Sequence, residues 1–131
     1  MRDFAALARY LDARRTMPFA WGSAANDCVS FYVGAVRAMA QVDLIGARSW
    51  TTARGAARVI ARLGGFEAAI DAHMQRVAPA LARRGDAAGV ACPGHGMMLM
   101  LVEGDTLVGP GTHGILRRPR AAMIAAWTFT G

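Results

Sequence analysis

The sequence predicts an α+β domain in which helices lead and a small antiparallel sheet follows. Apolar residues recur at helical spacing through residues 3–74, and short apolar runs broken by glycine and proline fill residues 85–131. The length of 131 residues is that of one domain. Hydrophobic residues make up 54% of the chain, ample for a single core and too many for a disordered one. No repeat, linker or low-complexity segment divides the sequence, so residues 1–131 read as a single domain.

Phe4, Leu7, Ala8 and Leu11 share one helical face and predict a first helix over 3–15. Pro18, Gly22, Ser23 and Asn26 mark residues 17–26 as a loop. Cys28 to Ala40 reads as a second helix, with Asp27 placed to cap it. Its apolar positions, among them Val29, Phe31, Tyr32, Val36 and Met39, predict a central, largely buried helix. Residues 42–50 form a connector. Thr52 to Leu63 reads as a third helix stopped by Gly64-Gly65, and Phe66 to Met74 as a fourth. Beyond Pro79, the runs GDAAGVAC, MMLMLVEGD, TLVG, HGILRR and AAWTFTG read as strands. Gly109-Pro110-Gly111 reads as a turn; no lysine-bearing helix follows to make it a phosphate loop.

The formal net charge is +6, and every basic residue apart from histidine is arginine. The arginines are spread along the chain with few aromatics among them, which predicts no specific nucleic-acid surface. Attraction to an anionic polymer or a cell envelope fits the charge. No uncharged apolar run approaches the roughly 18 residues of a membrane span. The N-terminal stretch MRDFAALARYLDARR carries charges throughout, so no signal peptide is expected and the chain is expected to be cytoplasmic when made.

Residues 18–34, PFAWGSAANDCVSFYVG, place a cysteine where a loop meets a helix. Cys28 there has four readings. It is a small buried filler, half of a disulfide with Cys92, a metal ligand, or a nucleophile. A disulfide is unusual in a chain without a secretion signal. Cys28 with Cys92 and His95 gives three metal ligands where a structural zinc site takes four, and neither metal nor other cofactor is expected. As a nucleophile, the thiol would sit at the positive end of the helix dipole, which favours thiolate and predicts a pKa below about 8.5. The N–H groups there would receive a developing oxyanion, and an imidazole would take the proton.

These residues resemble the NlpC/P60 group of papain-like cysteine peptidases and amidases. The matching pieces are Phe19, Trp21 and Gly22, then Asp27 and Cys28 opening an apolar helix, then Gly85 and Asp86 opening the sheet. Closer still, the chain resembles a compact phage and prophage family of about this length. Thr51-Thr52-Ala53-Arg54-Gly55-Ala56, Arg84-Gly85-Asp86 and Ala126-Trp127 fit that pattern, which covers nearly the whole chain. The resemblance implies a papain-like fold with Cys28 as nucleophile, cell-wall peptides as substrate, and a tail setting in the virion. Three positions depart from it. Phe19 stands where the group has a tyrosine, Met98 where it has the base histidine, and Gly109 where it has the residue that orients the base.

His95, three residues before Met98 on the turn leading into MMLML, is the candidate base. His73 reads as a solvated surface residue and His113 as a loop residue. Trp21 is expected to pack beneath the loop and, with Gly22 and Asp27, to fix the entry to Cys28. Trp127 is expected to close the last strand onto the core, and Asp86 to tie down the turn before it. Met97, Met98 and Met100 read as sheet packing. Two functions follow. One is a hydrolase of cell-wall peptides using Cys28 and His95. The other is a tail component with incomplete catalytic machinery, whose partners are other tail proteins.

Overall fold

The computed structural model describes residues 1–130 and bears out the α+β class. Among the described residues four α-helices, α1 (Phe4–Arg14), α2 (Cys28–Ala40), α3 (Ala53–Arg62) and α4 (Phe66–Asp71), precede the whole sheet. Its six strands are β1 (Gln75–Val77), β2 (Ala87–Cys92), β3 (Gly96–Glu103), β4 (Thr106–Gly111), β5 (Gly114–Pro119) and β6 (Met123–Thr128). They pair antiparallel in the order β1-β6-β2-β3-β4-β5. No helix among the described residues is long and apolar enough to cross a membrane.

Two elements differ from the sequence reading. The fourth helix ends at Asp71, not Met74, and the next residues turn into β1, an edge strand the sequence did not announce. Its three residues, Gln-Arg-Val, are too few to show an alternation, and its pairing with β6 over Gln75–Thr128 to Val77–Ala126 supplies the order. Gly109-Pro110-Gly111 is strand, not turn: the turn follows it, at Thr112-His113. Pro110 is tolerated there because it lies opposite Ile115 near the end of a strand pair, where a missing N–H costs little.

Period-two alternation divides the sheet into two apolar faces. Leu99, Leu101, Val108, Ala125 and Trp127 face the helices and pack with Leu7, Phe31, Ala35, Val36 and Met39. Met100, Val102, Leu107, Met123 and Ala126 form a second cluster on the other face. There the turn at Pro79–Leu81 is held by Arg120, which donates to the carbonyls of Pro79 and Ala82. Trp127 is fully buried, as expected, and donates its Nε1–H to Asp71 at 2.7 Å.

Asp86 does tie down the preceding turn, accepting from the Arg83 N–H at 2.8 Å. It does more than that. Its other oxygen meets the buried Arg2 guanidinium at 2.7 Å and the Thr128 hydroxyl at 2.7 Å. Arg2 also donates to the Arg84 carbonyl at 2.7 Å. The Arg-Gly-Asp stretch is therefore an anchor that locks both chain ends to the start of β2. Gly85 is required in it: its φ is +93°, and a Cβ would lie 2.9 Å from Met39 Sδ.

Candidate functional site

The loop before Cys28 is built from backbone bonds and two buried polar side chains. Phe19 N–H donates to Gly111 O at 2.8 Å, which ties the loop to the end of β4. Asn26, 2% exposed, donates to the carbonyls of Met17 and Pro18 and accepts from Arg14 at 2.8 Å. Asp27 caps α2 as expected. One oxygen accepts from Ser30 N–H at 2.9 Å, and the Ser30 hydroxyl accepts from Asp27 N–H in return. The other oxygen accepts from Gly22 N–H at 3.0 Å and from Trp50 Nε1–H at 2.7 Å. Gly22 adopts a φ of +143° that side-chain-bearing residues rarely take, which is why glycine stands there.

Trp50, not Trp21, is the tryptophan beneath this loop. Trp50 is 9% exposed and bound to Asp27, whereas Trp21 is 42% exposed and meets Phe19 edge-on at 5.0 Å between ring centres. The correction has a physical cause. An indole packs under a loop only where its N–H finds a partner, and the buried carboxylate of Asp27 supplies one to Trp50 from across the chain. Sequence proximity favoured Trp21, and nothing local to Trp50 advertises the contact. Asn26 and Trp50 are the scaffold residues that sequence reasoning missed.

Cys28 is the first residue of α2, as predicted, but its pKa is raised where the helix end was expected to lower it. Burial pushes it up from the ordinary value to about 11. The Leu99 and Val29 backbone N–H groups oppose that rise, and the neighbouring charges of Asp27 and Cys92 add to it. Desolvation of the charged form outweighs the favourable helix end. Asp27, which caps the helix, also places a carboxylate beside the sulfur and so works against the thiolate. Cys28 and Cys92 are both free thiols.

The strand faces decide what else stands near the thiol. Met98 packs into the cluster on the far side of the sheet, while Met97 packs on the helix side and lines the same pocket as Cys28. On β3 it is thus Met97, not Met98, that shares the pocket with Cys28. On β4, a Cβ at Gly109 would point toward Met100 on the far face, so Val108 and Pro110 take the helix side. Neither Met97 nor Pro110 can accept a proton or orient an imidazole.

The histidines fall in three places. His95 is exposed on the turn between β2 and β3 and lines the same pocket as Cys28. His73 is exposed, as expected. Its Nδ1 lies 2.8 Å from Ala69 O, so Nδ1 carries the hydrogen and Nε2 accepts from Arg48 at 3.3 Å. His113 occupies the β4–β5 turn, exposed, and is not among the pocket-lining residues. The pocket itself has a volume of about 490 Å³ and runs between α2 and β3 on one side and α3 and α4 on the other. Cys28, Trp21, Asp27 and His95 all line it; Gly22 stands behind Asp27.

Fold and site together define an α+β domain that presents a helix-borne thiol to an apolar pocket. The chain belongs to the family described as Domain of unknown function (DUF6950), which matches residues 2–129. No curated protein matches it.

Proposed function

We propose that this chain is a papain-like domain of the NlpC/P60 kind that keeps the fold and the thiol but not the hydrolytic machinery, and serves as a tail or tail-tip component of a phage or prophage. The observation that carries the non-hydrolytic reading is the pair Met97 and Pro110 on the helix-facing side of β3 and β4. A thiol with a pKa pushed up to about 11 needs a base to attack at neutral pH, and those positions supply none. The NlpC/P60 kinship and the tail setting rest on the resemblance of Phe19-x-Trp21-Gly22, Asp27-Cys28 and Arg84-Gly85-Asp86. The test is release of soluble fragments from purified peptidoglycan or a stem peptide. Wild type and Cys28→Ala are expected to be equally inert and to be incorporated equally into particles. Release by wild type that vanishes in Cys28→Ala would overturn the reading.

A second reading is favoured by one observation: Cys28 and His95 line the same pocket. In it, the protein is a cysteine peptidase or amidase acting on cell-wall peptides. His95 takes the Cys28 proton and the thiolate adds to the amide carbonyl; the C–N bond then breaks as His95 returns the proton to the leaving amine, and water hydrolyses the thioester to free Cys28. His95→Ala would then abolish turnover as fully as Cys28→Ala, and the double variant would be little worse.

A further inference from the structure

We infer that the apolar pocket beside Cys28 is a binding site for a long-chain carboxylate, with the chain held beneath α3 and α4 and the head group at Arg48. The inference does not rest on the functional reading above, since occupancy requires no hydrolysis.

The lining carries few polar groups, and most are already engaged. Asp27 spends both oxygens on Ser30, Gly22 and Trp50, and the Tyr32 hydroxyl donates to Gly85 O at 2.9 Å. Polarity open to a ligand is confined to Arg48, His73 and His95, all exposed. Arg48 contacts only the Ile45 carbonyl and His73 Nε2, both at 3.3 Å, and pairs with no carboxylate among the described residues. The pocket is thus apolar within and cationic where it opens.

The helices over it are built for an occupant. Val59 and Ile60 of α3 and Phe66 and Ile70 of α4 line the pocket yet stay only half-buried, and Ala56 is the one fully buried residue of the two helices. Phe66 and Ile70 touch the core with one side and the pocket with the other, and Val59 and Ile60 face the pocket without joining either core cluster. At roughly 30 Å³ per methylene, about the share of a water molecule in the liquid, a volume of about 490 Å³ has room for roughly a dozen or more carbons. It also lies within the usual range for ligand pockets. A single anion on an apolar chain matches the lining, the volume and the Arg48 charge together.

Tryptophan fluorescence of the full chain, titrated with decanoate, dodecanoate and tetradecanoate below their micellar concentrations, reads the binding. Each added methylene is expected to tighten it about fourfold. Arg48→Gln is expected to weaken dodecanoate about tenfold and to leave dodecanol unchanged. Ala69→Phe fills the pocket and is expected to abolish binding. Because that variant can fail to fold, dodecanoate is also expected to slow alkylation of Cys28 in wild type, where Arg48→Gln requires more of it. Absence of saturable binding would overturn the inference. So would equal binding of dodecanol and dodecanoate, saturation that leaves Cys28 unprotected, or occupancy by an apolar peptide that excludes no fatty acid. Peptide turnover, by contrast, would overturn the functional reading and leave this result standing.

Discussion

Single residues around Cys28 divide cleanly into scaffold and rim. Trp50→Ala removes a buried ring and one of the two donors to an Asp27 oxygen, and is expected to destabilise the fold by about 3–5 kcal/mol. Trp21→Ala, at an exposed ring, is expected to change stability by no more than about half a kcal/mol. Denaturant midpoints of the two variants check both, and a reversal of the order would show that the loop is packed from the other side. Trp50→Phe isolates the indole N–H. It is expected to cost about 1–3 kcal/mol, because the Asp27 oxygen keeps its bond to Gly22. The Asp27-Cys28 junction was legible in sequence because capping is local: Asp, then Cys, then an apolar periodicity. The tryptophan that braces it was not legible, because the bond between Trp50 and Asp27 spans 23 residues with no pattern linking them.

The elements were legible to the extent that their signals are local. The second helix was read residue for residue, since a cap at Asp27 and dense apolar positions mark both its start and its depth. The strands of the second half were found from glycine punctuation, but their faces were not. A shift of one residue exchanges the two sides of a strand, and Met97 and Met98 pack on opposite faces of the sheet. Close helix packing was also invisible. Gly34 reads as a weak point in a helix, yet it is where α1 meets α2: a Cβ there would collide with the Tyr10 hydroxyl, which donates to Phe31 O at 2.8 Å. Gly34→Ala is expected to destabilise by about 1–3 kcal/mol through overpacking, and by clearly less in a Tyr10→Ala background. Thermal or denaturant unfolding of the two singles and the double gives the coupling; additive effects would place the contact elsewhere.

At the scale of the whole molecule, burial outweighs the helix dipole at the thiol, and that governs both stability against pH and chemistry. Cys28 is pushed up to about 11 in the folded chain from an ordinary value near 9. Between those values the unfolded chain has lost the thiol proton and the folded chain has not, so stability falls as pH rises from about 9 through 11. Below pH 9 that contribution is fully present. Tyr10, pushed up from 10 to about 12 by burial, and Tyr32, raised likewise by burial, add to the loss from pH 10 upward. Cys28→Ala is expected to flatten the curve between pH 9 and 10 and to leave a shallower fall above pH 10, where the tyrosines titrate. An unchanged curve would mean the sulfur is better solvated than its surroundings indicate.

The most direct measurement is the pH dependence of Cys28 alkylation by iodoacetamide, made in a Cys92→Ala background with and without His95→Ala. A half-buried, desolvated thiol without a base is predicted to label slowly at neutral pH, with a midpoint near 11 that His95→Ala does not move. A midpoint below about 8.5 that rises when His95 is removed would contradict the account, because it would show a thiolate held by an imidazole and a catalytic pair in working order.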